Sequence, residues 1–272
     1  MPPEAFALAL AAAFLHAGWN VFLRGSEDVE ARTTVVLGLS VLLFAPVAAG
    51  TWSVSWAVAP YVAASAAFEC LYFALLVAAY RRRELSVVYP VARGSAPVLV
   101  LLGTAVVLGR HVSAAAAVGV CLVAVGVVLV RGFAGGAEGI LVALAIGCAI
   151  AGYTLVDKEG LQHAAAIPYL ELVLAPVALI AVPLVATRRG ARALGAQLTA
   201  ATVVAAVASF GAYALVLAAL RLAPAPDVAA VRETSVVFAA AMAVIFLHER
   251  VGARRLAGTV VVAAGVALLA LY

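Results

Sequence analysis

The sequence predicts an all-α membrane protein, ten transmembrane helices arranged as two inverted five-helix repeats, and three observations carry that prediction. Apolar residues make up 67% of the 272 and charged residues 11%, proportions foreign to a soluble domain of this size. Apolar runs of roughly 20 residues, the length that spans a ~30 Å hydrocarbon core, follow one another from end to end. The chain also repeats itself: a shift of 139 residues lays Arg93 on Arg232, Leu108 on Leu247, Gly119 on Gly258 and Gly126 on Gly265. Ten spans use about 200 residues, so connections are short and any binding has to take place among the helices.

Helices are expected at about 4–23, 33–50, 57–80, 86–108 and 112–131 in a first unit, residues 1–132, and at about 137–156, 167–187, 199–221, 226–247 and 251–271 in a second, residues 133–272. Met1-Pro2-Pro3-Glu4 lacks a basic n-region and a cleavage site, so the first stretch is expected to stay as a helix. Turn-forming and charged residues separate the runs at Gly25-Ser26-Glu27-Asp28, Arg81-Arg82-Arg83-Glu84, Gly135-Gly136, Arg188-Arg189-Gly190 and Pro224-Ala225-Pro226. Ala17-Gly18-Trp19-Asn20 is echoed by Ala151-Gly152-Tyr153-Thr154. A five-helix unit that recurs after an odd number of crossings sits upside down in the membrane, the plan of many secondary transporters.

The glycines at 119, 126, 258 and 265 form small-residue stripes that suit close helix contact, within the chain or at a dimer seam. Twelve arginines (24, 32, 81, 82, 83, 131, 188, 189, 192, 250, 254, 255) fall in the odd-numbered connections, against Arg110, Lys158 and Arg221 in the even ones. The positive-inside rule then places both termini outside the cytoplasm. The same loops account for the net charge of +4, so no nucleic-acid partner is expected. Cys70, Cys121 and Cys148 lie in separate apolar segments without metal or disulfide spacing, and no GxxxxGK[ST] phosphate loop occurs. No cofactor or metal is expected. The expected partners are a small-molecule substrate and the lipid bilayer, with the chain a monomer or homodimer in the inner or plasma membrane.

Charged and polar groups inside the spans mark the candidate site, because a charge at mid-bilayer costs a few kcal/mol unless it faces a protein interior or a wet cavity. Tyr89-Pro90-Val91-Ala92-Arg93-Gly94-Ser95-Ala96-Pro97 puts an arginine, a tyrosine and two prolines in one apolar segment. The prolines predict a broken backbone there. His16, Trp19 and Asn20 share a face of helix one, and Glu69, Tyr72 and Tyr80 a narrow arc of helix three. Tyr89 and Arg93 are one turn apart on helix four, and Arg232-Glu233 stand at the equivalent depth of helix nine after Asp227. Tyr213 and Phe210 on helix eight are the repeat counterparts of the Glu69/Tyr72 region, where small residues replace the acid. Tyr153 joins the set from helix six, whereas Asp157, Lys158 and Glu159 read as a helix-end ion pair. Glu69 or Glu233 is the expected proton carrier, and the acid–base pairs either neutralise each other or open to a zwitterion.

His16-Ala17-Gly18-Trp19-Asn20, Ala79-Tyr80 leading to Ser86 through Pro97, and Arg232-Glu233 followed by His248-Glu249-Arg250 before a glycine-spaced last helix together resemble the EamA-type members of the drug/metabolite transporter superfamily. The resemblance runs over essentially the whole chain. It implies a secondary carrier, not an enzyme, moving a small polar or zwitterionic metabolite by alternating access, with helices one, three, four, six, eight and nine lining a central cavity and five and ten packed beside it. Members commonly keep both termini in the cytoplasm, and the basic loops here argue the reverse. The competing expectation is a flippase or transferase acting on a lipid-linked head group, its arginines holding phosphate. A sensor or structural partner fits less well, since nothing soluble is left to relay a signal.

Overall fold

The computed structural model describes residues 1–23, 28–81, 85–131, 137–247 and 252–271, which form twelve α-helices. They are α1 (Pro3–Leu23), α2 (Val29–Gly50), α3 (Ala59–Arg81), α4 (Leu85–Leu102), α5 (Ala114–Arg131), α6 (Ala137–Gly160), α7 (Ala166–Arg189), α8 (Ala191–Gly195), α9 (Ala200–Leu222), α10 (Ala225–Arg232), α11 (Ser235–Leu247) and α12 (Ala253–Leu271). The expected Gly135-Gly136 connection, His248-Glu249-Arg250 and most of the turns at 25–28 and 81–84 lie outside the described residues.

Six helices of the described chain, at Val29–Gly50, Trp56–Ala79, Gly139–Gly160, Ala166–Arg189, Ala200–Leu222 and Ala253–Leu271, are long and apolar enough to cross a membrane. Their outward faces are greasy: Leu42, Leu141, Leu179 and Val260 are exposed, as lipid-facing residues must be. Trp52 and Trp56, both exposed, stand between α2 and α3, at the level where aromatic belts form. This is the surface of a multi-pass membrane protein.

Local chemistry sets the helix ends. The Asp28 carboxylate accepts from the Ala31 N–H at 3.0 Å and caps α2, and Thr199 does the same for α9 through Thr202. Gly190, at φ +86°, ends α7 in a conformation that a side chain would strain. Pro226 sits in the first turn of α10, where a missing N–H costs nothing.

Two departures from expectation bear on the site. The prolines at 90 and 97 do not break α4, which runs through both to Leu102 before a π-turn at Gly103–Val107. The interruption falls instead in the other half, where the helix expected over 226–247 divides at Glu233 and Thr234 into α10 and α11. There the N–H groups of Glu233 and Thr234 reach back three residues, to Ala230 and Val231, and the Thr234 hydroxyl also donates to the Val231 carbonyl at 2.8 Å. Backbone broken at this depth is tolerated where it is buried or lines a cavity, and residues 225–236 are all buried.

The packing partners come in pairs under the 139-residue shift. α1 lies on α9 as α3 lies on α6; α4 meets α6 as α10 and α11 meet α1; α2 meets α9 as α7 meets α3; α4 meets α5 as α10 meets α12. Two further contacts, α2 with α7 and α5 with α12, are each their own counterpart. At the α5–α12 crossing a Cβ on Gly126 would fall 2.9 Å from the Gly258 carbonyl oxygen, and one on Gly265 2.8 Å from that of Gly119. Rising numbers on one helix thus meet falling numbers on the other, so α5 and α12 run antiparallel. The glycine stripes are therefore an internal seam of close backbone contact.

Candidate functional site

A cavity of about 170 Å³ opens among the helices, walled by His16 and Trp19 of α1, Ser40 of α2, Glu69, Tyr72 and Phe73 of α3, Arg93 of α4, Tyr153 of α6, Val177 of α7, Phe210 and Tyr213 of α9, and Arg232 of α10. α1, α3, α4, α6, α9 and α10 are the expected lining helices, and α2 and α7 line it as well, which the resemblance did not imply. Of the eleven residues singled out in the sequence, eight (His16, Trp19, Glu69, Tyr72, Arg93, Tyr153, Tyr213 and Arg232) stand on this one wall. Asn20 does not: its amide donates to the His16 carbonyl at 2.6 Å and is occupied by its own helix. Glu233 lies behind the wall, fully buried. Tyr89 is on α4, its side chain outside the described residues.

The arginines have different surroundings. Arg93 Nε stands 3.0 Å from Glu233 Oε2, and its Nη2 donates to the Ser235 hydroxyl at 3.0 Å, so α4 is tied to both sides of the α10–α11 break. Arg232, one residue before Glu233, lies 4.0 Å from its carboxylate and beside Tyr153 and Tyr213. Neighbours on a helix diverge by about 100°, so Arg232 reaches the cavity while Glu233 turns to Arg93.

Asp157 corrects the sequence reading. It is not half of a helix-end ion pair: it is 1% exposed and accepts hydrogen bonds from the hydroxyls of Ser65 at 2.5 Å, Tyr169 at 2.9 Å and Tyr213 at 2.8 Å. Lys158 instead caps the C-terminus of α9, donating to the Leu220 and Ala223 carbonyls, and Glu159 pairs with Arg110 at 2.8 Å. Residues Ser65, Tyr169 and Ser235 carried no signal in the sequence, because each meets its charged partner, Asp157 or Arg93, only across to another helix.

On His16 the ring accepts from Trp19 Nε1 at 3.2 Å, the two rings meeting edge to face. Tyr72, Tyr153 and Tyr213 form a run of contacting rings, with centroids 6.3 and 5.9 Å apart. The wall thus offers aromatic faces, hydroxyl groups and charges of both signs.

With this geometry, the family of the second half can be read. Residues 137–271 match the EamA-like transporter family. The match runs from the start of α6 to the end of α12 and supports membership of the drug/metabolite transporter superfamily, in which the EamA-like proteins are transporters. The EamA-like segment contributes Tyr153, Val177, Phe210, Tyr213 and Arg232 to the cavity, and residues before it contribute His16, Trp19, Ser40, Glu69, Tyr72, Phe73 and Arg93. One solved crystal structure superposes on the chain with a TM-score of 0.76, covering 100% of this chain and 98% of that one at 13% identity, which shows a common fold and no more. No curated protein matches the chain.

Proposed function

We propose that the chain is a secondary transporter that crosses the inner or plasma membrane ten times as two inverted five-helix repeats and moves a small polar or zwitterionic metabolite by alternating access. Support for the inverted plan comes from the paired packing partners and the antiparallel crossing of α5 with its counterpart α12. Substrate sites in such scaffolds lie between the repeats, often at an interrupted helix. The α10–α11 break beside the cavity fits that expectation.

The observation that carries the reading is the charge content of one buried cluster. Glu69, Asp157 and Glu233 face Arg93 and Arg232, all at most 8% exposed, so three acids meet two guanidiniums. Any net charge in a low-dielectric site is costly, and a proton or a cationic group on the solute balances this one. An amine-bearing solute and a proton therefore compete for the same place, the exchange that drives an antiporter. Glu69 and Arg232, on the open wall, are assigned to the solute; Arg93 and Glu233 hold the wall together.

A thermal-shift screen of amino acids, amines, phosphonates and nucleosides on the purified protein tests the binding half of this reading. A solute that binds the folded state raises its melting temperature, and amines or amino acids are expected to do so in wild type but not in Glu69→Gln. A groove of about 480 Å³ between α3 and α7 shares Phe73 and Val177 with the cavity and carries Glu30 and Arg188, and it is the one feature that favours a handler of lipid-linked head groups. A stabilising effect confined to phosphonates would select that reading.

A further inference from the structure

We propose that Asp157 carries the coupling proton and exchanges it with Glu69 in the cavity through the hydroxyl of Tyr213, a refinement that rests on the transport reading above. The starting point is the kind of partner each buried acid has. Glu233 faces the guanidiniums of Arg93 and Arg232 at 3.0 and 4.0 Å, groups that carry positive charge and only donate, so they favour its carboxylate and offer an acid proton no acceptor. Asp157 faces three neutral hydroxyls, from Ser65, Tyr169 and Tyr213. A hydroxyl donates one hydrogen bond and accepts two, and it rotates to suit. The same three partners therefore satisfy a carboxylate and, with one hydroxyl turned round, a carboxylic acid. Such a cage holds its shape through a change of protonation.

The position of Asp157 suits the same role. Tyr213 belongs to both places: its hydroxyl donates to Asp157 Oδ2, and the residue lines the cavity beside Glu69. On the other side, Asp157 is in the last turn of α6, and its cage partner Ser65 lies one turn from Tyr61, whose ring stacks on His163 in the α6–α7 connection. The acid stands between the solute cavity and the end of the molecule that the α6–α7 connection occupies. The groups facing it are Ser65 and Glu69 from α3, Tyr169 from α7, Tyr213 from α9 and Arg232 from α10; Tyr153 is one turn away on α6, and Arg93 of α4 faces Tyr153.

The transfer is balanced. The carboxylic acid of Glu69 gives its proton to the Tyr213 oxygen as the Tyr213 hydroxyl proton passes to Asp157, which leaves Glu69 a carboxylate, Tyr213 neutral and Asp157 an acid. The cluster stays neutral until Asp157 gives up the proton, whose charge the cationic head of a solute at Glu69 then replaces. Release of the proton from Asp157 to the water at the loops completes the cycle.

Infrared difference spectroscopy of the purified protein in lipid bilayers, with pH as the only variable, tests this directly. The wild type is expected to show titrating carbonyl bands of protonated carboxylic acids, one of which shifts when the chain is made with carboxyl-¹³C aspartate. That band persists in Asp28→Asn and Asp227→Asn and is lost in Asp157→Asn. Tyr213→Phe keeps it and makes the Glu69 band insensitive to Asp157→Asn. Because the isotope needs no substitution, the test stands even if Asp157→Asn does not fold. Acid bands that ignore the aspartate label, or a labelled band that survives Asp157→Asn, overturn the assignment. The infrared result is separate from transport: a titrating Asp157 in a protein that moves no solute would remove the transport reading alone, and transport without the labelled band would remove only the proton role of Asp157.

Discussion

Arg93 and Glu233 form a buried ion pair across the two halves of the chain, and a pair of this kind is costly to break because the survivor is left as an uncompensated charge. Arg93→Ala and Glu233→Ala are each expected to destabilise the protein by about 3–5 kcal/mol, while the apolar double substitution Arg93→Met with Glu233→Leu loses much less than their sum. Unfolding in detergent, followed by circular dichroism, measures this; additive losses would show that the two side chains do not act as a pair. Both residues could be picked out of the sequence, since a charge inside an apolar run declares itself. Their division of labour could not, because which arginine faces Glu233 depends on where α10 breaks. Asp157 was hidden for the opposite reason: Lys158 and Glu159 beside it suggested a local pair, whereas its partners lie 92, 12 and 56 residues away on other helices.

Helix pairing rests on glycine at the α5–α12 seam. A methyl group on Gly126 would sit 2.7 Å from the Val262 backbone nitrogen and 2.9 Å from the Gly258 carbonyl oxygen, so backbone, not a flexible side chain, has to give way. Gly126→Ala is expected to cost about 1–3 kcal/mol as an overpacked contact. Gly18→Ala on α1, where a Cβ meets nothing within 4 Å, is expected to be neutral or to gain up to about 1 kcal/mol from reduced backbone freedom. Melting temperatures of the two variants side by side decide this, and equal losses would contradict the seam. The seven-residue spacing made this contact readable from the sequence, because close approach admits few residues besides glycine. The helix break was not readable. Pro90 and Pro97 pointed to α4, yet the chain parts at Glu233 and Thr234, where no proline or glycine marks it.

Across the whole molecule the connections collect at two ends. Ser55 and Ala165 bond across the α2–α3 and α6–α7 connections, Arg110 reaches Glu159, and the Met1 amino group donates to the Leu269 carbonyl. At the other end Arg189 holds Glu30 at 2.6 Å and Arg32 donates to Gln197. Among the described residues the second end carries most of the arginines, so it is expected to face the cytoplasm, with both termini outside. In a chain whose native cysteines are replaced by serine, Arg254→Cys should resist an impermeant thiol reagent added to intact cells and Arg110→Cys should react. The reverse pattern would place the termini inside, as family resemblance implies.

Transport requires the cavity to be the solute's path. Reconstituted into proteoliposomes, wild-type protein is expected to take up a labelled amine or amino acid in a saturable way under an imposed pH gradient, and Glu69→Gln and Arg232→Ala to reduce that uptake by about tenfold or more while still folded, a loss of at least about 1.4 kcal/mol of interaction. Uptake that survives both substitutions unchanged would contradict the assignment of this cavity as the route.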